Sequence, residues 1–339
     1  MLLAILAALL LGTYYGIWRT IHQPLMVNGH WHVERGTSLN TVMRRLQPQS
    51  SQYLRRAQRT LLQWHGVNLA IKAGEYELRN DMSLYDVLSI LSAGDVMLRQ
   101  ATLLEGWTIS QARQYLSSVE GLVNDLQGDE WGAFLLSLNL DPSRHGEGWF
   151  APETYYFSRG NGQRDILLQA HQRLRGWLND AWQQRRDNLP LLDPYQLLIL
   201  ASIVEKETAL ASERGTIASV FINRLRRGMR LQTDPTVIYG LGAAFDGDLR
   251  RRDLASDTPY NTYRINGLPP TPIALPSKDA LLAVALAPDT PYLYFVAKGD
   301  GSSYFSTTLE EHQAAVRRFQ INRRSDYRSR PAQGKGNDG

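Results

Sequence analysis

The stretch "DPYQLLILASIVEKET", residues 193–208, decides how the larger part of the chain folds. Asp193 suits the cap position of a helix and Pro194 its first turn, so the stretch predicts one helix. This is one of the most apolar helical runs in the chain, and we expect it to form a helical core. Three charged residues end it, Glu205, Lys206 and Glu207. A buried carboxylate is costly unless it is paired or protonated, so these charges either lie at a surface or serve a function.

Rotation along that helix separates the two glutamates. Side chains turn by about 100° per residue, so Glu205 and Glu207 point to nearly opposite faces. Glu207 lies one turn from Ile203, and a second predicted helix from Ser212 leaves Glu207 in the last turn of the first. Apolar surroundings and the negative end of the helix dipole both raise the pKa of a carboxyl group, as a general acid near neutral pH requires. The alternative is an ordinary solvated helix end, and we expect Glu205 and Lys206 to be solvated or salt-bridged.

The composition is that of a globular protein with room for about two domains. The chain has 339 residues, of which 43% are hydrophobic and 21% charged, and its net charge is +4. The basic residues do not form one contiguous block, so nucleic acid is not a predicted partner. Because cysteine is absent from the sequence, disulfide frameworks and thiolate zinc sites are excluded.

The N-terminal segment predicts a membrane anchor. Residues 2–18, "LLAILAALLLGTYYGIW", contain no charge, and Tyr14, Tyr15 and Trp18 at the far end favour a membrane interface. A cleaved signal peptide is the alternative, but bulky aromatic residues occupy the place where small residues should form a cleavage site. We therefore predict a single transmembrane helix over residues 1–20.

The remaining chain predicts an α+β protein with two folded parts. Ser38, Ser83 and Thr108 each precede a short amphipathic helical pattern and are able to cap it, which resembles a weak internal repeat. Residues 70–78 and the "HWHVERG" segment favour strands. We predict a small α+β module over residues 21–100, including a linker, and a larger mixed α+β domain over residues 101–327 with a helical core. Residues 328–339 are polar and glycine-rich, which predicts a disordered tail.

Several types of catalytic site are excluded by missing motifs. The sequence has no GxSxG elbow, no P-loop and no HExxH. His30 and His32 alternate on one predicted strand but have no third ligand in view, so we predict surface histidines and no metal. No cofactor is predicted, and carboxylate chemistry at Glu207 is what remains.

A loop-rich region after the second helix supplies candidate substrate-binding residues. Amides, hydroxyls and aromatic rings in that mixture are able to stack on sugar rings and to hydrogen-bond their hydroxyl groups. The candidates are Gln232, Thr233, Asp234, Tyr239, Tyr260, Asn261, Thr262 and Tyr263. The same "TDP" and "YNT" sequences are also typical of plain turns, which is the structural alternative. For Asp234 we expect loop ordering or substrate positioning first.

A series of motifs extends along the chain. In chain order they are "KAGEY" from residue 72, "EGWFAPETYYF" from 147, "ASIVEKET" from 201, "ASVFINRLRRGMRLQTDPTVIYG" from 218, "YNTY" from 260, "GLPPTPI" from 267 and "PYLYFVA" from 291. Together these motifs resemble one known family, the YceG-like endolytic murein transglycosylases. The likeness covers nearly the whole chain. It implies a single membrane anchor, then a LysM-like module over residues 21–100, then the YceG-like catalytic domain.

The resemblance also implies an activity. Family members cut nascent peptidoglycan glycan strands internally and leave 1,6-anhydro-N-acetylmuramyl ends. Their catalytic acid is the second glutamate of the "EKE" triplet, which is Glu207 here. The implied location is the cell inner membrane, with a single pass and the catalytic domain in the periplasm, and peptidoglycan synthases are implied partners. Two alternatives stay open on the residues alone: a muramidase-like hydrolase, and a non-catalytic peptidoglycan-binding or scaffold protein.

Overall fold

The computed structural model describes residues 1–207 and 210–321. The chain divides into two compact units, the first formed by residues 1–100, 119–123 and 156–162, and the second by residues 101–118, 124–155 and 163 onward. The tail predicted for residues 328–339 lies outside the described residues. The boundaries predicted for the anchor, the module and the catalytic domain stay predictions.

The first unit is a small mixed module that follows one long apolar helix. Its elements in chain order are α1 (Leu2–His22), β1 (Gly29–Val33), α2 (Leu39–Leu46), α3 (Gln52–Trp64), β2 (Gly74–Leu78) and α4 (Leu84–Ala93). β1 and β2 pair antiparallel, with Trp31 opposite Tyr76. The predicted caps are confirmed at Ser38 and Ser83, whose hydroxyls accept backbone N–H groups at the starts of α2 and α4.

Helix α1 is long and apolar enough to cross a membrane. It has 21 residues and a mean hydropathy of 1.5, and its apolar window is not buried in the protein. Its last turns behave differently, because Ile21 is 1% exposed and belongs to the hydrophobic core of the module. Thr20 also accepts a hydrogen bond from the buried Gln58 amide at 3.1 Å. The end of α1 is therefore part of the folded module.

The remaining elements lie in the second unit, except that residues 99–100 and 156–157, at the ends of two strands, belong to the first. They are β3 (Arg99–Thr102), where the chain enters this unit, α5 (Ile109–Ser118), α6 (Asp129–Ser137), β4 (Thr154–Phe157), α7 (Gln163–Gln183), α8 (Pro194–Glu207), α9 (Ala211–Arg226), α10 (Asp234–Leu241), α11 (Arg251–Leu254), α12 (Lys278–Ala285), β5 (Tyr294–Ala297), β6 (Ser303–Ser306) and α13 (Leu309–Val316). β3 pairs with β4 and β5 with β6, each as a two-stranded sheet.

Helix α8 is the centre of the second unit. Every residue from 197 to 204 is buried, which explains why its sequence is apolar on all sides. Helices α7, α9, α10 and α12 all contact it. The helix ends at Glu207, so Glu205 and Glu207 lie at the end of a helix that is packed on all sides. The helical core predicted from the sequence is confirmed.

Candidate active site

The end of α8 sends its two glutamates to different neighbours. Glu205 is hydrogen-bonded by Ser277, at the start of α12. Glu207 is hydrogen-bonded by Thr233, at the start of α10. The two partners lie on different elements because side chains two residues apart on a helix diverge by about 200°. The predicted separation of the two carboxyl groups is confirmed.

The carboxyl group of Glu207 has the properties of a proton donor near neutral pH. Burial is the main cause that raises its pKa to about 7, and the negative charge of Asp234 acts in the same direction. The Thr233 hydroxyl, which donates to Oε1 of Glu207, and the positive charge of Arg224 act in the opposite direction. A carboxyl group with such a pKa is populated in both protonation states under physiological conditions, as an acid that later acts as a base requires.

Arg224 of α9 fixes the loop that approaches Glu207. Its buried guanidinium group donates to the carbonyl oxygens of Leu293 at 2.7 Å and Leu231 at 2.9 Å, and to Oε1 of Gln232 at 3.2 Å. Gln232 has a left-handed backbone with φ of 53°, which is uncommon for a residue other than glycine. Arg224 therefore holds the loop and places a positive charge near Glu207, a role that the sequence analysis did not assign.

A buried network of threonines sets the position of Thr233. The backbone N–H of Thr233 donates to the Thr262 hydroxyl at 3.0 Å, and the Thr236 hydroxyl donates to the Thr233 carbonyl at 2.8 Å. Thr262 and Thr236 are fully buried and lie 2.8 Å apart through their hydroxyl oxygens. The network holds the Thr233 side chain toward Glu207.

The predicted substrate-binding residues fall into two groups. Asn261 and Thr262 are fully buried, and the Asn261 amide donates to the carbonyl oxygens of Leu254 and Ser256 at 3.0 and 2.7 Å. Direct contact with a substrate, predicted for these two residues, does not fit their burial, because their polar atoms are spent on the loop itself. They order the turn, as the structural alternative held.

The other group keeps accessible polar or aromatic surface. Asp234 is exposed and accepts a hydrogen bond from the Tyr263 hydroxyl at 2.6 Å. The rings of Tyr239 and Tyr260 lie edge to face with centroids 4.9 Å apart. The side chains of Tyr239, Tyr260 and Tyr263 are partly exposed, and that of Gln232 is exposed. These side chains and Glu207 belong to the same unit, and those of Asp234 and Gln232 flank Thr233 in sequence.

The sequence of this chain matches one family of known proteins. The family model described as the YceG-like family matches residues 31–318. The chain belongs to the YceG-like family. That range contains Glu207, Thr233 and every other residue predicted for the site.

Named relatives support the same grouping. A protein named endolytic murein transglycosylase from Bacillus subtilis is 33% identical over 266 residues, which cover 73% of each chain. Proteins of the same name from two strains of Streptococcus pneumoniae are 29% identical, and the match covers 73% of this chain but half of theirs. The crystal structure of a YceG-like protein from Listeria monocytogenes is 26% identical with a TM-score of 0.52, covering 85% of this chain and 99% of the other.

The structure of this YceG-like chain contains a buried acid close to Tyr239 that the sequence analysis missed. Glu147 is 3% exposed, and its Oε1 accepts the Ile109 N–H at 3.0 Å while its Oε2 accepts the Tyr239 hydroxyl at 3.1 Å. Burial raises the pKa of Glu147 to about 7 against these hydrogen bonds. The only sequence signal was its place between Gly146 and Gly148 in an otherwise apolar motif, which does not indicate its distant partners.

Glu205 has a structural role. Its side chain is 6% exposed, accepts the Ser277 N–H at 2.9 Å and lies 3.8 Å from the guanidinium group of Arg214. The ion pair was expected and the solvated alternative is wrong for Glu205, because the start of α12 covers the carboxylate. Lys206 is exposed and donates to the Gly106 carbonyl oxygen at 3.1 Å.

Proposed function

We propose that this chain is a membrane-anchored endolytic murein transglycosylase in which Glu207 is both the general acid and the general base. The observation that carries the proposal is the Glu207 carboxyl group, which lies partly buried at the end of α8, has a pKa raised to about 7 and accepts one hydrogen bond from a hydroxyl group. The names of the relatives supply the substrate class, peptidoglycan glycan strands. The site residues and their roles are part of this proposal.

The first step needs the protonated form of Glu207. Its proton passes to the glycosidic oxygen that leaves C1 of the muramyl residue, so the C1–O bond breaks as the oxygen becomes a hydroxyl group. The muramyl ring gains oxocarbenium character, and Glu207 becomes a carboxylate. The negative charge of Asp234 favours the protonated form at the start of this step.

The second step returns the proton. The Glu207 carboxylate takes the proton of the C6 hydroxyl while O6 of the same sugar bonds to C1, which closes a 1,6-anhydro ring and restores the acid. No water is consumed, so one carboxyl group suffices where hydrolases use two that flank the bond. The hydroxyl of Thr233 stabilises the carboxylate between the two steps.

The accessible side chains of the site suit a glycan strand. We assign sugar stacking to Tyr239 and Tyr260 and hydrogen bonding to Gln232, Asp234 and Tyr263, because flat sugar faces pack on aromatic rings and hydroxyls need polar partners. Asn261 and Thr262 act through the loop that they order.

Product mass is the test of this function. Wild type and Glu207→Gln are incubated with purified peptidoglycan, and the soluble glycans are weighed by mass spectrometry. We expect anhydro-ended fragments from wild type and from Glu310→Gln, a matched control at an exposed helical glutamate, and none from Glu207→Gln. Fragments that carry one additional water would indicate a hydrolase. Pelleting with peptidoglycan but no soluble product from wild type would indicate a binding protein.

We propose that α1 is a retained anchor and that the second unit lies in the periplasm. Retention is supported by the packing of Ile17 and Ile21 into the module, which a cleaved peptide would remove. By the positive-inside tendency, the arginines that follow α1 would favour the cytoplasmic side for the module. That tendency applies to short loops, however, whereas large domains are translocated largely regardless of their charge. Since the chain has no cysteine, Gln114→Cys, at an exposed position, is a unique thiol. Labelling by an impermeant maleimide in spheroplasts is the expected result, and labelling only after lysis contradicts it.

A glycan-binding role for the first unit and an association with peptidoglycan synthases also belong to the proposal. The first is supported by the resemblance to LysM-like modules and by the compact order of β1, α2, α3 and β2. It predicts that full-length Glu207→Gln pellets with insoluble peptidoglycan. The second is supported by the family resemblance and predicts recovery of a synthase after crosslinking in cells.

A further inference from the structure

Helix α3 packs antiparallel against the C-terminal half of α1. The Tyr14 hydroxyl lies 3.2 Å from Nε2 of His65, which follows α3, and Thr20 accepts from Gln58 at 3.1 Å. Six residues forward on α1 therefore correspond to seven residues backward on α3. This register places the C-terminal end of α3 beside Tyr14 and Tyr15, in the last part of the apolar segment of α1.

The register fixes the depth of two exposed residues if α1 spans a bilayer. Trp64 is 80% exposed and lies level with Tyr14 and Tyr15, whose uncharged segment belongs to the membrane or its interface. Arg59, five residues earlier, lies level with Arg19. At 1.5 Å per residue it is about 7 Å further from the bilayer centre than Trp64, which is about the thickness of one headgroup layer.

Further aromatic rings lie near the end of α1, at the level of Arg19 and beyond it. Trp18 stacks on His22 with centroids 4.3 Å apart, and His22 stacks on Tyr85 of α4 at 5.5 Å. Beside them a depression of about 220 Å³ opens between α1 and α3, lined also by Leu61 and His65. Tryptophan and tyrosine side chains around such an open depression are typical of the boundary between headgroups and acyl chains.

Charge is concentrated in the same part of the chain. Residues 1–69 contain seven arginines and one acidic residue, Glu34, a net charge of +6, whereas the whole chain carries +4, which leaves −2 for residues 70–339. Arg44, Arg45, Arg56 and Arg59 are exposed and have no ion pair among the residues that the structure describes. Unpaired arginines that flank a membrane helix are attracted to anionic lipid headgroups.

We propose that the end of α3 is a membrane-contacting tip, in which Trp64 lies at the boundary of headgroups and acyl chains while Arg59 and Arg19 bind the phosphates of anionic phospholipids. The first unit is thereby held against the bilayer at a fixed depth. This inference rests on the proposed anchor, because the depth scale is that of α1. It adds a second contact between the chain and the lipid surface.

Depth-dependent quenching tests the tip in the full-length protein. Single cysteines at Trp64→Cys and Tyr53→Cys are labelled with an environment-sensitive fluorophore and reconstituted with lipids that carry quenchers just below the headgroups. Tyr53 is the matched control, because it is an exposed aromatic residue on the same face of α3 and lies about 17 Å further along the helix. A third probe at Leu10→Cys reports on α1 itself.

The outcomes separate the tip from the anchor. We expect strong quenching at positions 10 and 64 and at least a threefold smaller effect at position 53. Quenching at position 10, with position 64 no more quenched than position 53, would overturn the tip alone. If position 10 is not quenched, the anchor fails, and the tip fails with it.

The arginine contacts have their own test. Arg19→Glu combined with Arg59→Glu is expected to reduce quenching at position 64 at least twofold in bilayers that contain anionic phospholipid. In bilayers of neutral phospholipid alone the same change is expected to have no effect. Equal quenching with and without the two substitutions in the anionic bilayer would contradict phosphate binding.

Discussion

The hydroxyl group of Thr233 donates a hydrogen bond to the carboxyl group of Glu207, joining the end of α8 to the start of α10. A donor to an ionised carboxylate lowers the pKa of that carboxyl group, whereas burial and the nearby Asp234 raise it. The protonation of Glu207 is therefore set by opposing neighbours that are adjacent in sequence. Substituting each of them separately should move the pH profile in opposite directions.

Thr233→Val is expected to move the alkaline limb of activity to higher pH by at least about half a pH unit. The substitution keeps the shape of the side chain but removes the donor, so the Glu207 pKa rises and the acid stays protonated longer. We also expect kcat to fall about tenfold, because the carboxylate formed between the two steps loses a charge-assisted hydrogen bond. Initial rates of anhydro-glycan release across a pH series give both quantities. A profile that keeps its midpoint would contradict the role of Thr233.

Asp234→Asn is expected to move the same limb to lower pH. Loss of a nearby negative charge lowers the Glu207 pKa, so the acid ionises earlier as pH rises. The amide oxygen still accepts from Tyr263, so the loop keeps that contact. The measurement is the same pH series, and a shift in the same direction as Thr233→Val would rule out the electrostatic account.

Glu205 and Glu207 are expected to respond to substitution in different ways. Glu205→Ala removes a buried partner of Ser277 and Arg214 and should lower the free energy of unfolding by about 3 kcal/mol. Glu207→Gln should abolish product release without lowering stability, because a neutral amide avoids the cost of a buried charge. Urea unfolding measured beside product release distinguishes the two. Equal losses of stability in Glu205→Ala and Glu207→Gln would contradict a structural role for Glu205 and a catalytic role for Glu207.

Ionisation of Glu147 should make the protein less stable as pH rises. Its pKa is about 7 when folded against a reference of 4.5, so the folded state binds the proton more tightly. The contribution of Glu147 to the free energy of unfolding is at its maximum below about pH 4.5. It decreases by about 3 kcal/mol in total as the pH rises to about 7, and it does not change further above that pH. In Glu147→Gln this part of the slope should vanish, while the similar contribution of Glu207 remains. Free energies of unfolding of wild type and Glu147→Gln, measured across this pH range, test the prediction. The same pH dependence in both proteins would contradict it.

Gly240→Ala is expected to destabilise the tyrosine pair. A Cβ there would lie 2.7 Å from the Thr258 hydroxyl oxygen and 3.1 Å from Cβ of Tyr260, so the loop must move. We expect a loss of about 1–3 kcal/mol and a higher KM. Gly176→Ala is the matched helical control, because its Cβ meets nothing within 4 Å, and it should gain up to about 1 kcal/mol. Equal thermal stability of the two variants would show that the loop yields without cost.

The sequence predicted those parts of the site that depend on local rules. Asp193, Pro194 and the apolar run predicted α8, and the helical rotation predicted that Glu205 and Glu207 diverge. Both follow from contacts within one or two turns, so they were readable without the fold.

The parts that were missed depend on residues far apart in the chain. Glu147 contacts Ile109 and Tyr239, which are 38 and 92 residues away, and Glu205 is covered by Ser277, 72 residues away. Such contacts leave no periodic pattern, so the sequence did not decide between a solvated and a salt-bridged Glu205, and Glu147 was overlooked. The burial of Asn261 depends likewise on how its loop closes over the amide.

The junction of α1 with the first unit also bears on how the protein is made. Ile17 and Ile21 complete the apolar wall against Leu61 and Leu62, and Thr20 satisfies the buried Gln58 amide. A module deprived of that helix would expose two leucines and leave a polar group without its partner, at a cost large enough to unfold so small a domain. The end of α1 and the rest of the module therefore fold together, and a chain from which α1 has been removed is expected to lose the folded module.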